Sequence, residues 1–394
     1  MTKKNIILTV VSASLYRIAL FCSTGALMQT FLSLVGFSED QVYIHSTVVQ
    51  LVNVLTILLA SGIGDRGNPV RRSALSHIPM AAMFLFYLPL CFSSSVGRGA
   101  FWFLLAVSCV QSLSVAIHTV LDYKLPYLLY TASDYADVNA ISGVISAAIG
   151  LGAGALVSYL STLMDYVALM IWAFVISAVI TVASGVLVAM QVIVFNKQDP
   201  EPQTASRASL LGIMREPIFL HLLFPNITRG FAAGATTVVA VAALSRGYGE
   251  SVTSALVSAE SVSVFVAGFL FIVIARRLSS RWAILVGSLL FSAMPLLLVR
   301  GNEPALLIAY ALVMLGRNVV DNAVPSALIF VVPIEMAGQY NALRMVLHNG
   351  GMLIATATAV FIPTEMLFVA AMIAQLASGA AFFFLPIMRK SKNI

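Results

Sequence analysis

Six charged side chains interrupt long apolar stretches of this chain: Arg17, Arg229, Glu260, Arg317, Asp321 and Arg344. A charge at the centre of a bilayer costs about 2.5 to 3.5 kcal/mol on insertion scales, so each needs an aqueous cavity or a partner, and such residues mark solute and proton pathways. Arg17 and Arg229 each stand about twelve residues into an apolar run. Two guanidinium groups at matching depth can clamp one anion, because each offers two parallel donors to phosphate or carboxylate oxygens. The alternative is that each only pairs with a carboxylate or a helix end. Glu260 lies near mid-depth of its run, where a carboxylate can take up and release a proton or stand in a permanent ion pair with Arg229 or Arg317. Arg317 and Asp321 are four residues apart, on one helical face and within pairing distance, and Asn318 adds an amide beside them. Arg344, at the start of the next run, can meet Asp321. Either a gating pair or direct substrate and proton handling fits that geometry. His118 and Asp122 repeat the four-residue relation earlier in the chain.

Other polar residues on apolar segments are Gln50, Asn53, Gln111, Asn226, Asn322, His348 and Asn349. Singly, such groups join membrane helices by hydrogen bonds; together they favour a hydrated cavity. Gly62, Gly64 and Gly67 satisfy a dinucleotide-type glycine spacing, but they follow an apolar helix instead of a strand, and no phosphate-binding loop is present. No cofactor is expected. Cys22, Cys91 and Cys109 fall within apolar runs without paired spacing, so neither a disulfide framework nor a metal site is indicated.

The elements that carry these charges are membrane spans. Hydrophobic residues make up 60% of the 394-residue chain and charged residues only 10%, against about 25% charged in a soluble domain. Apolar runs occur near 6–33, 41–63, 73–92, 100–121, 138–160, 166–195, 217–243, 252–275, 282–299, 304–330, 340–362 and 365–388. At about 20 residues per crossing, this is an all-α membrane protein of twelve transmembrane helices. The first run begins after a basic segment and continues through Arg17, longer than a signal peptide, so it reads as a retained span. With the N-terminus inside, fifteen Lys and Arg residues fall in the near-side turns and tails against Arg98, Arg246 and Arg300 on the other. The positive-inside rule then places both termini in the cytoplasm, in a bacterial-type cell inner membrane. The net charge of +6 reflects this orientation and does not imply nucleic acid.

The chain also repeats itself. His118, Asp122 and Pro126 recur in spacing as Arg317, Asp321 and Pro325, followed by Asn139-Ala140-Ile141 and Asn341-Ala342-Leu343. Arg17 matches Arg229. The turn holding Asp65-Arg66 matches the one holding Arg276-Arg277 at nearly the same offset. The polar stretch between spans six and seven reads as a linker. The expected organisation is two pseudo-symmetric six-helix bundles, 1–195 and 217–394, joined by cytoplasmic residues 196–216.

The turn Gly62-Ile63-Gly64-Asp65-Arg66-Gly67, closing on Arg71 and Arg72, resembles the signature between spans two and three of the major facilitator superfamily of secondary transporters. That resemblance implies two bundles rocking about a central site near the bilayer midplane. It also implies a gating role for Asp65 and Arg66, with spans one and seven lining the cavity. An arginine in each of those two spans is similar to the organophosphate antiporters. The expectation is a monomeric transporter of an anionic or zwitterionic solute, such as an organic phosphate or carboxylate, working by symport or exchange. Substrate contacts are expected from Arg17, Arg229, Glu260, Arg317 and Asn318. Proton coupling is expected at Glu260 and Asp321, and gating at Asp65, Arg66, His118, Asp122, Asp321 and Arg344. The alternative is a proton-coupled exporter of drugs or other amphiphiles; a receptor or membrane enzyme is a minor one, since no nucleophile or metal set is visible.

Overall fold

The computed structural model describes residues 2–23, 25–60, 68–92, 98–122, 125, 129, 130, 138, 141, 142, 144, 145, 148, 149, 152, 153, 155–157, 159–193, 217–275, 280–298, 301–328 and 337–385. The Asp65-Arg66 turn, the Arg276-Arg277 turn and the 196–216 linker lie outside the described residues. Among those described there is no β-strand.

The first part of the chain forms α1 (Thr2–Ser23), α2 (Gly25–Val35), α3 (Glu39–Ala60), α4 (Pro69–Phe86), α5 (Leu88–Cys91), α6 (Arg98–Asp122) and α7 (Tyr166–Ala189). Between α6 and α7, the described residues from 141 to 160 are helical. The second part forms α8 (Pro217–Thr236), α9 (Val239–Ser245), α10 (Glu250–Ala275), α11 (Ser280–Phe291), a 3-10 turn (Met294–Leu298), α12 (Glu303–Leu328), α13 (Ala337–Ala359) and α14 (Thr364–Phe384). Eight of the described helical segments are long and apolar enough to cross a membrane.

Local chemistry sets the ends of these elements. Ser38 and Gln41 cap α3 reciprocally, the Ser38 amide donating to Gln41 Oε1 at 2.9 Å and the Gln41 amide to Ser38 Oγ at 3.3 Å. Asn68 accepts from the Arg71 amide at 3.2 Å, with Pro69 opening α4. Asp165 caps α7 through the Val167 amide at 3.0 Å. Three far-side turns close on Gly36, Gly247 and Gly301, whose φ angles of 107°, 84° and 71° a side chain would resist. Large apolar side chains point outward, among them Trp172, Val179 and Leu59. Serines, threonines, histidines and asparagines are buried instead. That distribution suits a lipid surround.

The packing repeats. α1 lies on α7 as α8 lies on α14, and α3 on α6 as α10 on α12. Likewise α4 contacts α6 and α7 as α11 contacts α12 and α14. The halves meet through α3 against α13, and through α2 against α9 and α10. Away from the end where α1 begins, one apolar cluster runs through both halves, from Phe31 and Phe174 to Val239, Leu256 and Leu306. At the near end the cross-half contact is narrower, with Ile57 and Ala60 of α3 and Val120 of α6 against Ala342 of α13.

α8 and α13 touch backbone to backbone. A Cβ on Gly230 would overlap the His348 carbonyl, one on Gly351 the Ile227 carbonyl, and one on Gly234 would stand 2.8 Å from Met352 Cα. Small residues spaced this way let membrane helices approach until dispersion contacts and polar bonds hold them. The contact sets Arg229 against His348.

Candidate functional site

In the C-terminal half charges from α8, α10 and α12 converge, with a histidine from α13. Arg229 of α8, 4% exposed, directs its Nε toward Asp321 Oδ1 of α12 at 3.7 Å and donates to His348 Nδ1 of α13 at 3.4 Å. Because His348 Nδ1 accepts, its ring proton sits on Nε2. Arg317 reaches the other oxygen of Asp321 at 3.5 Å within α12, and its terminal nitrogen donates to Thr236 Oγ1 of α8 at 2.6 Å. Asp321 thus binds two guanidinium groups and ties α8 to α12. The Tyr310 hydroxyl donates to Glu260 Oε2 at 3.2 Å, and Arg317 lies within electrostatic reach of that carboxylate. Asn318 turns its amide back onto the Met314 carbonyl at 2.8 Å.

Arg344 differs. It is 6% exposed, its Nε meets no hydrogen-bond partner, and no described carboxylate lies within ion-pair distance. The expected meeting with Asp321 does not occur, because Arg229 and Arg317 already hold both oxygens of that carboxylate. Arg344 acts on the rest of the site electrostatically, on His348 one turn along α13.

In the N-terminal half the corresponding groups stay apart. Arg17 of α1 is exposed, as is Asp122 at the end of α6. Each feels the other's charge without forming a direct ion pair. His118 does not pair with Asp122; its Nδ1 takes hydroxyl contacts at 3.2 Å from both Ser73 and Ser76 of α4. His77, which the apolar pattern of its run conceals, packs its ring on His118 with centroids 4.5 Å apart. Tyr16 lies edge-on to both rings. Gly185 of α7 makes room, since a Cβ there would stand 2.8 Å from His77 Cβ.

The halves are joined beside these clusters. Asn349 of α13 donates to Asn53 Oδ1 of α3 at 2.7 Å, and the Gln29 amide reaches the Thr237 carbonyl. The sequence indicated Arg229, Arg317 and Asp321, and His348 only as one of the polar residues on apolar segments. It missed the hydroxyl of Thr236, the phenol of Tyr310 and the imidazole of His77; the signal for the last was its four-residue distance from Ser73.

Among solved structures the fold is similar to a D-xylose-proton symporter, with a TM-score of 0.76 at 10% identity over 99% of both chains. It is also similar to a bacterial homologue of the iron transporter ferroportin in its outward-facing state with soaked iron, with a TM-score of 0.69 at 16% identity over 97% of this chain and 98% of that one. The nucleoside transporter NupG, as its D323A mutant, matches with a TM-score of 0.69 at 10% identity, over 96% of this chain and all of the other. Identities this low establish a shared fold alone. A sequence search of curated proteins returns no match. The Major Facilitator Superfamily profile, however, matches residues 9–356. An all-helical chain with repeated packing, paired intramembrane charges and that match over most of its length belongs to the Major Facilitator Superfamily, and is a multi-pass membrane transporter and not an enzyme.

Proposed function

We propose that this transporter carries a small anionic or zwitterionic solute, an organic phosphate or carboxylate, by alternating access in a cytoplasmic membrane, with protons exchanged at Asp321 and Glu260. The reading rests on Arg344, a buried guanidinium with an unpartnered Nε and, among the described residues, no carboxylate within ion-pair distance. Arginine keeps its charge at any working pH, so the compensating negative charge falls to a bound solute. Arg17, exposed and without a direct ion pair, is the second guanidinium available. Arg229 and Arg317 are already matched to Asp321, which moves the clamp from Arg17 and Arg229 to Arg17 and Arg344. Arg229, Arg317 and Asn318 then frame the site and keep its field positive.

In this reading residues 1–195 and 217–394 rock as two bodies joined by 196–216, with both termini cytoplasmic. The Asp65-Arg66 turn, His118 with Asp122, and Asp321 with its arginines act as gates. Binding is tested by a thermal-shift screen of the purified full chain against organic phosphates, carboxylates, sugars and hydrophobic cations. A ligand at about 100 times its Kd raises stability by about 2.7 kcal/mol. We expect anions to stabilise the protein and the effect to vanish in Arg17→Ala and Arg344→Ala. Stabilisation by hydrophobic cations alone, or an anion effect that persists in both variants, contradicts the reading.

A further inference from the structure

The charges of the C-terminal half do not account for a second buried cluster, in the N-terminal half. Its centre is the imidazole pair of His77 on α4 and His118 on α6, both nearly inaccessible, with Tyr16 of α1 laid edge-on against the two rings. The Tyr16 hydroxyl is buried and has no hydrogen-bond partner, and it lies in the electrostatic field of Asp122. Asp122 stands one helical turn beyond His118, is exposed, and also acts on His77. The other groups that face the pair are few. α1 adds Arg17 beside Tyr16, and α7 adds only the Ser184 hydroxyl. Tyr130 flanks Asp122, its hydroxyl donating to the Asn5 carbonyl at 3.0 Å and bonding Thr9. On α3, His45 is bonded to Ser108, well away along α6.

The hydrogen bonds around His77 accept two proton counts without movement of any heavy atom. His77 Nδ1 is 2.8 Å from the Ser73 carbonyl, which can only accept, so this nitrogen carries a proton. Nε2 is 3.2 Å from Ser184 Oγ, and Ser184 Oγ is 2.9 Å from the Ser12 carbonyl. With a neutral ring, the Ser184 hydroxyl donates to Nε2. With a protonated ring, Nε2 donates to Ser184 Oγ and the hydroxyl turns to the Ser12 carbonyl. Rotation of one O–H bond separates the two states. His118 Nδ1 stands 3.2 Å from the hydroxyl oxygens of Ser73 and Ser76, which can accept its proton or donate one, the Ser76 hydroxyl itself donating to the Ser73 carbonyl at 2.7 Å. Two rings 4.5 Å apart repel when both are charged, which limits the pair to one extra proton.

We propose that the His77–His118 pair, in the electrostatic field of Asp122 and walled by the Tyr16 ring, is a proton-binding site of the N-terminal half, separate from Asp321 and Glu260. A proton from the aqueous side binds an imidazole nitrogen; no electrons change hands. Arg17 beside Asp122 makes the site responsive to an anion, because a solute that neutralises Arg17 removes a positive charge facing the pair.

The test is nuclear magnetic resonance of the full chain labelled at its five histidines, titrated between about pH 4 and 8. In the unaltered protein two imidazoles should titrate as a coupled pair. Their identities follow from His77→Gln and His118→Gln, each of which should change the proton affinity of the remaining ring by about tenfold or more. Asp122→Asn should move the same signals, while Asp321→Asn should leave them in place. Two imidazoles that titrate independently, or that show no change across the range, overturn the proposal. The unaltered chain decides this even if a variant fails to fold.

Discussion

Each half carries an arginine on its first helix and an aspartate on its fourth, yet the two pairs stand in opposite conditions. Arg229 and Asp321 are 3.7 Å apart, with Arg229 buried, Arg317 on the far oxygen and His348 behind. Arg17 and Asp122 are both exposed and only within electrostatic range of one another. The repeat therefore supplied two copies of one arginine–aspartate pairing, one closed and one open. A matched pair ties its helices together until a proton or a change of state releases it; an open one is free to answer a solute directly.

The two halves should respond most differently to loss of the same residue type from each. Arg229→Ala leaves the Asp321 carboxylate with only Arg317 and should destabilise the protein by less than the roughly 3 to 5 kcal/mol of a fully buried pair, because the Asp321 side chain is 32% exposed. Thermal unfolding in detergent reads that loss, and the double variant Arg229→Ala with Asp321→Ala should recover part of it. Next in size is the α8–α13 seam. Gly351→Val forces a side chain into the Ile227 carbonyl and should cost about 1 to 3 kcal/mol, or more where the backbone cannot yield. Gly152→Val, where an added Cβ meets nothing within 4 Å, should have little effect. A smaller effect is expected at the bond between halves. Asn349→Ala removes the 2.7 Å bond to Asn53, at about 0.6 kcal/mol for a bond between membrane helices, and should change transport rate more than unfolding temperature. The smallest stability change belongs to Arg17→Ala, within about 0.5 kcal/mol as for other exposed sites, while solute uptake into vesicles is lost. A large loss of stability in Arg17→Ala would erase the contrast between the halves.

The spans were legible because hydropathy measures length, and a bilayer demands about 20 apolar residues per crossing. The expected run 166–195 begins where α7 begins, at the Asp165 cap. Breaks inside spans were less legible. The seventh run is continuous in hydropathy but divides into α8 and α9 at residues 237–238. Apolar side chains satisfy lipid whether or not the backbone bends, so composition carries no trace of that break. The break before α5 does have a sequence cause, because Pro89 lacks the amide that would continue α4. Partners were the hardest to read. Asp321 had two expected arginines within reach, Arg317 on its own helix and Arg344 on the next, and the fold chose Arg317 together with Arg229.

By itself the sequence determined the all-helical membrane class, the two-fold repeat and the set of residues too costly to leave in lipid. Those follow from one-dimensional quantities: apolar length, spacing and charge. Only the tertiary structure decided which of those charges neutralise one another. The close α8–α13 contact at Gly230 and Gly351 sets Arg229 against His348, with Asp321 of α12 on its other side, and leaves Arg344 with no carboxylate within ion-pair distance among the described residues; the gap at Gly185 admits His77 beside His118. Coulomb energy depends on distances of a few ångströms between helices far apart in the chain, and spacing along the sequence does not contain them.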